Sequence, residues 1–517
     1  MRHLGIGLIV LALLPAAAFA HEERPAFFPV HANGKVPVYR ATGSALVVCK
    51  ADSRRRIRTQ LRGKLRKRNL ALLKRCRYRH IQAAVTAAHS GQRILLLPGL
   101  YREEPSRAAA RNDPRCAAMK VVHADGNLVP SYDYQRYCPN DRNLIAITGD
   151  TNGDRVCDTR CKLQIEGTGA SPKQVVIEGD RIRENVIRAD RADGIYLANF
   201  TIQYSDFNNV YVLETNGFRL DRLITRWSRE YGILSFTSDN GLYENIEAYG
   251  AGDSGVYPGS GPEGHCKWYG IEIRYVNSHD NLLGYSGTAG NGVWVHHSRF
   301  HHNATGISTD SFASGHPGMP QDCAKWESNE IYSNNLDVYS ATRDAYCKVP
   351  YMTRDPKIVC PSFQVPLGTG LLIAGGNGNI VRRNRVWDNW RNAFRLFWVP
   401  ADSRGDTDPA HYRDTSHANT YTHNVLGVDR AGKTARNGTD VWWDEFGKGN
   451  CWGRNTGPGG GAITSDPKSI PSCPNAGPER TGDFTKTVQL LPCANWDPLT
   501  NPDPPGCDWF TLPPKPA

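Results

Sequence analysis

The chain has 517 residues, of which 39% are apolar and 22% are charged, a length and balance that predict a globular protein with a large core. The net charge of +11 comes from residues 50–80, which hold fourteen Lys and Arg against one Asp. Residues 81–517 carry 44 basic and 48 acidic residues. This near-neutral body argues against a protein that binds polyanions over its whole surface.

Residues 1–20, MRHLGIGLIVLALLPAAAFA, predict a cleaved signal peptide, because a basic start is followed by an apolar run and small residues. The apolar run at 4–14 is shorter than the roughly 20 residues that a membrane anchor needs, and no later stretch is long and apolar enough to span a membrane. We therefore expect a secreted protein, extracellular or in the cell envelope. Nucleic acid is not an expected partner.

Fourteen cysteines follow this segment, and an even number in an exported chain predicts disulfides. Pairing neighbours in sequence leaves Cys266 and Cys323 for each other, although connectivity stays open at this point. The other suggested pairs are Cys49–Cys76, Cys116–Cys138, Cys157–Cys161, Cys347–Cys360, Cys451–Cys473 and Cys493–Cys507. A zinc site is not expected, because the chain has no C-x2-C pair.

Residues 21–80 are predicted to be an N-terminal extension that includes the basic segment. Leucines at near-helical spacing in this segment indicate one helix. A basic run of this kind is a solvated helix face or a flexible arm, or it contacts an acidic polymer. Residues 81–104 then predict a short amphipathic helix, a turn and a buried strand that ends at Pro98-Gly99.

The segment 147–161, ITGDTNGDRVCDTRC, places oxygen-bearing side chains close together in a Gly-containing loop, as Ca²⁺ binding requires. The candidate ligands of this structural calcium site are Asp150, Asn152, Asp154 and Asp158. The loop is similar to the start of an EF-hand loop, but it lacks the distal Glu and has Arg155 where Gly is usual. The alternative is an Asx-rich turn held by Cys157 and Cys161.

Residues 185–341 repeat one phrase: an apolar pair, a polar step, then Asn, Ser, His or Asp. Aligned on the central apolar residue, six copies lie 22 to 31 residues apart: Ile202, Ile224, Ile246, Val276, Phe300 and Ile331. A period in the 20s with strand-like residues predicts a stacked coil of short strands. The helix near residue 81 is interpreted as the cap on the open apolar end of this coil.

Mostly polar or aromatic residues recur three positions after this column: Ser205, Trp227, Tyr249, His279, Asn303 and Asn334, with Asn389 after Val386. Amides at such a corner form a ladder that satisfies turn carbonyls. His279 is therefore predicted to be structural, although it stands in a Ser-His-Asp triplet.

The P-G-x-Y-R-E phrase at 98–103 and the turns with Asn at their corners resemble the right-handed parallel β-helix of the pectin-lyase-like superfamily, and more closely its secreted bacterial repeat proteins. The resemblance covers residues 80–430 and implies an all-β solenoid over 81–430. It implies no single activity, because the superfamily includes lyases, hydrolases, epimerases, esterases and adhesins. The G-H-G and R-I-K phrases of its polygalacturonases are missing. His296 stands where its pectate lyases carry Asp in W-I-D-H.

Residues 431–517 are rich in Pro, Gly and Cys and predict an irregular, disulfide-pinned tail that lies across the stack or closes its end. We expect a monomer.

Extra residues beyond a 22-residue turn form four insertions: 257–267, 309–325, 343–357 and 401–414. Their similar phase predicts loops at one corner of the coil, hence a wall beside a flat sheet and a groove that fits a linear polymer. Functional residues concentrate on loops held by a rigid scaffold. The candidate catalytic residues are Asp310, His316, Asp322, Tyr257 and Tyr285. The candidate substrate-binding residues are Asp253, His265, Lys267, Lys325 and Arg343.

Two chemistries fit a polysaccharide, including an acidic one. A uronate lyase or epimerase needs a cation, a base near C5 and an acid. The candidate cation is Lys267, Lys325 or Arg343. The candidate base is His316, and the candidate acid is Tyr257 or Tyr285. A glycoside hydrolase needs two carboxylates about 5 to 9 Å apart, for which Asp310 and Asp322 are the best pair. The alternative is a non-catalytic glycan-binding or surface protein.

Overall fold

The computed structural model describes residues 24–109, 113–123, 126–312, 315–475 and 477–517, so the predicted signal peptide lies outside the described residues. Parallel strands stack into a three-sided coil around one large apolar cluster. The predicted all-β, right-handed parallel β-helix is confirmed, and its hand is that of parallel crossover connections in general. Within the described residues, no helix is long and apolar enough to cross a bilayer.

Each full turn adds one strand to each of three parallel sheets. Sheet 1 contains Ala45–Val48, Arg93–Leu96, Gln164–Gly167, Asp239–Glu244, Ile271–Arg274, Val293–His296, Lys325–Glu327, Ile380–Arg382, Thr420–Thr422 and Cys451–Gly453. Sheet 2 contains Gly99–Tyr101, Val175–Glu178, Glu247–Tyr249, Asn277–His279, Arg299–His301, Glu330–Tyr332, Arg385–Trp387 and Val425–Leu426. Two long strands, Ile195–Gln203 and Asn216–Arg226, run through both sheets.

Sheet 3 has eleven strands: Asn143–Thr148, Asn185–Asp190, Asn208–Leu213, Ile233–Phe236, Ser254–Gly259, Leu283–Tyr285, Thr305–Asp310, Thr369–Ala374, Asn392–Phe397, Thr439–Trp443 and Ser465–Asp466. Two small antiparallel pairs lie outside the coil, Lys120–Val122 with Leu128–Pro130 and Phe446–Gly447 with Arg480–Thr481. The α-helices are Ser53–Gln60, Gly63–Leu73, Ile81–Ala87, Glu104–Ala108, Pro114–Ala117, Tyr132–Tyr137, Ala341–Cys347 and Phe484–Leu490.

The interior register differs from the predicted column at three places. Ile202 lies opposite Thr225 and not opposite Ile224. Ala248 and Ser278, not Ile246 and Val276, then continue the column to Phe300. The Thr225 and Ser278 hydroxyls donate to turn carbonyls at 3.0 and 2.7 Å. Because these bonds satisfy the hydroxyls inside the coil, small polar residues occupy interior positions there, and an alignment on apolar residues slips by one or two positions.

Asparagine ladders run along all three corners of the coil. The predicted ladder lies between sheets 2 and 3, where Asn303, Asn334 and Asn389 are confirmed as successive members. It also includes Asn281 and Asn437. The two other ladders consist of Asn329, Asn384, Asn424 and Asn455, and of Asn379, Asn419 and Asn450. Each amide therefore satisfies corner groups that the sheets leave unpaired.

His279 lies outside this ladder, so its predicted place in the amide column is wrong. Its ring belongs to a stack on the outer face of sheet 2, between Tyr249 at 5.2 Å and His301 at 5.1 Å. The His279 Nδ1 atom is 2.6 Å from an Asp280 carboxylate oxygen. Hydrogen bonds to Asp280 and to Glu247 outweigh partial burial and raise the pKa of His279 to about 9.

The parallel strands extend past the predicted boundaries at 81 and 430. Ala45–Val48 pairs with the strand Arg93–Leu96, and two strands beyond residue 430 continue sheet 3. The helix Ile81–Ala87 caps the open end as predicted, with its apolar residues in the core cluster.

The tail that follows the coil is irregular and pinned by disulfides, as predicted. Trp496, Trp509 and Phe510 pack on Leu372 and Phe397 of sheet 3. All seven predicted disulfides are present, and no cysteine is left free. Seven bridges indicate a protein that matures in an oxidising, exported compartment.

We expect Asn334→Ala to destabilise the coil by about 2–3 kcal/mol, because buried corner groups lose their partners. Asn334 is fully buried, its Oδ1 accepts from Asn303 Nδ2 at 2.9 Å, and its Nδ2 donates to the Phe300 carbonyl at 3.1 Å. Denaturant unfolding measures the change. The exposed Asn33→Ala is the control, expected to lie within about 0.5 kcal/mol of the parent. Equal losses in both variants would contradict a role for the ladder.

Candidate functional site

Insertions flank sheet 3 on both of its edges. Loops 257–267, 309–325 and 401–414 lie where sheet 3 leads into sheet 1, whereas loop 343–357 lies where sheet 2 leads into sheet 3. The predicted single wall is thus wrong for loop 343–357, because its extra residues precede a sheet 3 strand instead of following one. The outer face of sheet 3 lies between these two walls of loops, and we call this face the groove floor.

Disulfides brace both walls. Cys266–Cys323 joins loops 257–267 and 309–325, and Cys347–Cys360 closes loop 343–357. The N-terminal segment adds a cross-tie, because the Arg24 guanidinium pairs with Asp190 at 2.9 Å and with Glu214 at 2.7 Å. The groove floor is therefore rigid and largely shielded from water.

A row of acidic and phenolic side chains crosses this floor. Glu230 and Asp253 stand just before two neighbouring sheet 3 strands. The rings of Tyr231 and Tyr257 lie 4.9 Å apart, and Tyr257 Oη is 3.5 Å from His316 Nε2. Asp310 ends a strand further along and, with Asp253, raises the pKa of Tyr257 in addition to burial.

Strand alternation explains why these side chains face outwards. Val256 belongs to the core cluster, so its neighbour Tyr257 points to the opposite face. Asp310 is held by two hydrogen bonds, since Thr288 Oγ1 donates to Oδ2 at 2.9 Å and the Phe312 N–H donates to Oδ1 at 3.1 Å.

Burial raises the pKa of the carboxyl groups in the row. It raises the pKa of Glu230 to about 7 and that of Asp310 to about 6. The pKa of Asp253 is raised well above its usual range by burial and by the neighbouring Glu230. Glu230 is therefore poised to gain or lose a proton near neutral pH.

The row opens into a cavity of about 340 Å³ at its Glu230 end, a size at the lower end of small-molecule sites. The lining includes Glu230, Trp496, Arg229, Lys348 and Arg354. Glu230 Oε2 has no hydrogen-bond partner among the described residues. The cavity thus combines a proton-exchanging carboxyl group, cations and an indole ring.

Four predicted site residues meet in the row: Asp253, Tyr257, Asp310 and His316. Tyr285 does not, and its catalytic prediction is wrong. Its side chain is fully buried in the core, aligned with Val256 and edge-on to Trp326. The strand around it is short, and the repeat pattern did not reveal which of its residues face inwards.

Asp322 also lies outside the row. Burial raises its pKa to about 6, and the charges that act on it are Glu263 and His265, not Asp310. Asp310 is bonded instead to Thr288 and Phe312, and the predicted hydrolase pair stays a prediction.

The other predicted substrate-binding residues are dispersed. His265 and Lys267 are exposed on loop 257–267. Lys325 lies on the outer face of sheet 1 and pairs with Glu327 at 2.6 Å. Arg343 is on the second wall, where it donates to the Val359 carbonyl at 3.0 Å.

In the predicted calcium loop, the side-chain oxygens have protein partners. Asp150 accepts from the Gly153 and Arg155 N–H groups and pairs with Arg191 at 2.8 Å. Asp158 accepts from Thr151. Asn152 and Asp154 bond to each other. These contacts describe the Asx-rich turn, and calcium binding stays a prediction.

Sequence reasoning missed Glu230, Tyr231 and Trp496. Glu230 precedes Asp253 by 23 residues, which is one turn at this point of the coil. That spacing was an available signal. Trp496 carried none, because it comes from the irregular tail.

No protein-family model matches the chain, and no curated protein sequence matches it. Thirty chains of solved structures do match. The pectate lyase Pel9A is 13% identical, with 84% of this chain and 82% of that chain covered and a TM-score of 0.36. The A-module of the mannuronan C-5 epimerase AlgE4 from Azotobacter vinelandii is 10% identical, with 74% and 94% covered and a TM-score of 0.40. The alginate lyase from Paenibacillus sp. str. FPU-7 is 12% identical, with 70% and 95% covered and a TM-score of 0.33. At these values the comparisons carry no argument about chemistry.

We expect Glu230→Gln to make the protein more stable than its parent above pH 7, by up to about 3 kcal/mol. The pKa of Glu230 is raised from 4.5 to about 7, so the unfolded chain loses this proton first as the pH rises. The parent therefore loses stability between about pH 4.5 and 7, and the variant does not. Thermal unfolding from pH 4 to 8 measures the difference.

Glu247→Gln is the matched control for this measurement. A hydrogen bond from His279 lowers the pKa of Glu247, so the stability that Glu247 contributes is lost as the pH falls. Glu247→Gln is therefore expected to lower stability relative to the parent at high pH and not at low pH, the opposite of the trend expected for Glu230→Gln. Parallel pH profiles for the parent and Glu230→Gln would refute the raised pKa of Glu230.

Proposed function

We propose that this protein acts on an acidic polysaccharide by acid–base chemistry, as a uronate lyase or epimerase, in the groove over sheet 3. The observation that carries the proposal is the position of Glu230, a buried carboxyl group with a pKa of about 7, in a cavity that basic residues also line. A group with this pKa is an efficient proton acceptor and donor near neutral pH.

The first step is common to both reactions. Ionised Glu230 removes the proton from C5 of a uronate residue, and the cations of Arg229 and Arg354 neutralise the adjacent sugar carboxylate. Both guanidinium groups already act on Glu230, because their charges lower its pKa against the effect of burial. Trp496 offers an apolar ring surface for the sugar.

The second step distinguishes a lyase from an epimerase. In a lyase, the electron pair forms the C4–C5 double bond and the C4–O bond breaks, with a proton delivered to the leaving oxygen. In an epimerase, a proton returns to C5 from the other face of the ring. Tyr231, whose pKa is raised by burial and in part by Glu230, is a candidate donor, and the neighbouring Tyr257 and His316 continue the row as a path for protons.

Two other functions receive less support. Hydrolysis through Asp310 and Asp322 would require two carboxylates that act on one bond, and only Asp310 belongs to the row that includes Tyr257. Non-catalytic glycan binding needs no titratable row, since a binding surface works without groups poised at neutral pH.

Incubation with alginate and with polygalacturonate in D₂O tests the proposal, because both reactions remove the C5 proton and an epimerase then returns a deuteron from the solvent. We expect deuterium at C5 or unsaturated uronate ends with the parent protein. Glu230→Gln should lower turnover at least about 100-fold. Tyr257→Phe should lower turnover by a smaller factor, since Tyr257 passes protons to the row and does not itself contact the sugar.

Glu247→Gln, a carboxylate on the outer face of sheet 2, is the control and should keep turnover within about threefold. Binding of either polymer without deuterium incorporation or chain cleavage would contradict an enzyme and favour a glycan-binding protein. Full activity of Glu230→Gln combined with loss in Tyr257→Phe would move the chemistry to the His316 end of the row.

A further inference from the structure

The basic segment 50–80 forms a helical surface at the capped end of the coil, which we call the basic cap. Its two helices are Ser53–Gln60 and Gly63–Leu73. Their apolar side chains Ile57, Leu61 and Leu72 are buried against Val47, Leu95 and Leu97 of the first turn. The segment is thus a docked part of the fold and not a flexible arm.

The outward face of the basic cap carries little acidic charge. Residues 50–80 contain fourteen Lys and Arg and one acid, Asp52, which already pairs with Arg56 at 2.5 Å and Arg55 at 3.5 Å. Among the described residues, no carboxylate lies within ion-pair distance of five exposed cations: Arg54, Arg58, Lys64, Arg66 and Lys67. Such a surface holds a cloud of small anions that a polyanion displaces with a gain in entropy.

We propose that the basic cap is a second, non-catalytic binding surface for a linear acidic polysaccharide. The helices of 8 and 11 residues are about 12 and 16 Å long. Arg54 and Arg58 are four residues apart on the first helix and Lys64 and Lys67 are three apart on the second, so each pair of cations lies on one helix face. The proposed function contributes only the choice of polymer class. Attraction to the cap does not require chemistry in the groove.

Two features favour a polysaccharide over other polyanions. An amphipathic helix that enters a membrane surface needs a free apolar face, and here that face is buried in the protein. Seven disulfides and no free cysteine place the protein in an oxidising compartment, where acidic glycans are the abundant linear polyanions that a secreted protein meets.

Binding of alginate to the full-length protein, measured by calorimetry in the Glu230→Gln background, tests the proposal without consumption of the polymer. The test variant carries Arg54→Gln, Arg58→Gln, Lys64→Gln and Lys67→Gln. The control variant carries Lys433→Gln, Arg436→Gln, Arg454→Gln and Lys468→Gln, four exposed cations toward the C-terminal end of the coil. Both variants lose the same net charge.

We expect the test variant to lose at least about tenfold in affinity at low salt and the control less than about twofold, and we expect salt to weaken the parent steeply. Equal losses in the two variants overturn the proposal, as does tighter binding of the parent to phosphatidylglycerol vesicles or double-stranded DNA than to alginate. Thermal unfolding checks that both variants are folded. If the parent protein turns over the polymer but binding does not depend on the basic cap, only the present proposal is refuted. If binding depends on the basic cap but the parent shows no turnover, only the proposed function is refuted.

Discussion

Each turn of the coil must satisfy its backbone amides and carbonyls on the turns on either side, because the strands of all three sheets pair only with neighbouring turns. The strands meet this constraint by parallel pairing. The corners cannot, and there the asparagine ladders supply one donor and one acceptor for each turn. A turn can hold extra residues only where its chain departs from an asparagine ladder at a corner. All the insertions therefore begin at corners.

The same constraint explains the chemistry of the groove. Insertions at both edges of sheet 3, together with the N-terminal cross-tie and the tail, bury a face that an open β-helix would expose. Acidic side chains on that face lose water, and their pKa values rise because burial penalises the charged form. Glu230 and Asp253 come from successive turns, so the stacking also brings two carboxyl groups together and raises the pKa of Asp253 further. Proton-exchanging groups near neutral pH are thus a consequence of how the loops cover the sheet.

The sequence was informative where the physics is local or repetitive. The period predicted the coil, the pairing of neighbouring cysteines predicted six disulfides and left the two cysteines of the seventh, and the recurring Asn residues predicted one ladder. It was less informative where an interior position holds a hydrogen-bonded Thr or Ser, because apolar alignment then slips. It was also less informative about the inward direction of Tyr285, which lies in a strand of three residues, and about the corner at which loop 343–357 enters. Trp496 reaches the cavity from a tail without periodicity, and no local pattern encodes such a contact.

The separation of the basic cap from the titratable row has a physical consequence. The cap packs on the first turns, and Glu230 lies about four turns further along, roughly 20 Å at the strand spacing. This exceeds the Debye length of about 8 Å at physiological salt, so the charge of the cap is screened from the row. The pKa of Glu230 accordingly responds to Arg229, Arg354 and Asp206, all local groups. A basic surface placed directly beside the row would favour ionised Glu230 and lower its pKa. Distance along the coil lets one end attract an anionic polymer while the groove keeps a carboxyl group that still exchanges its proton at neutral pH.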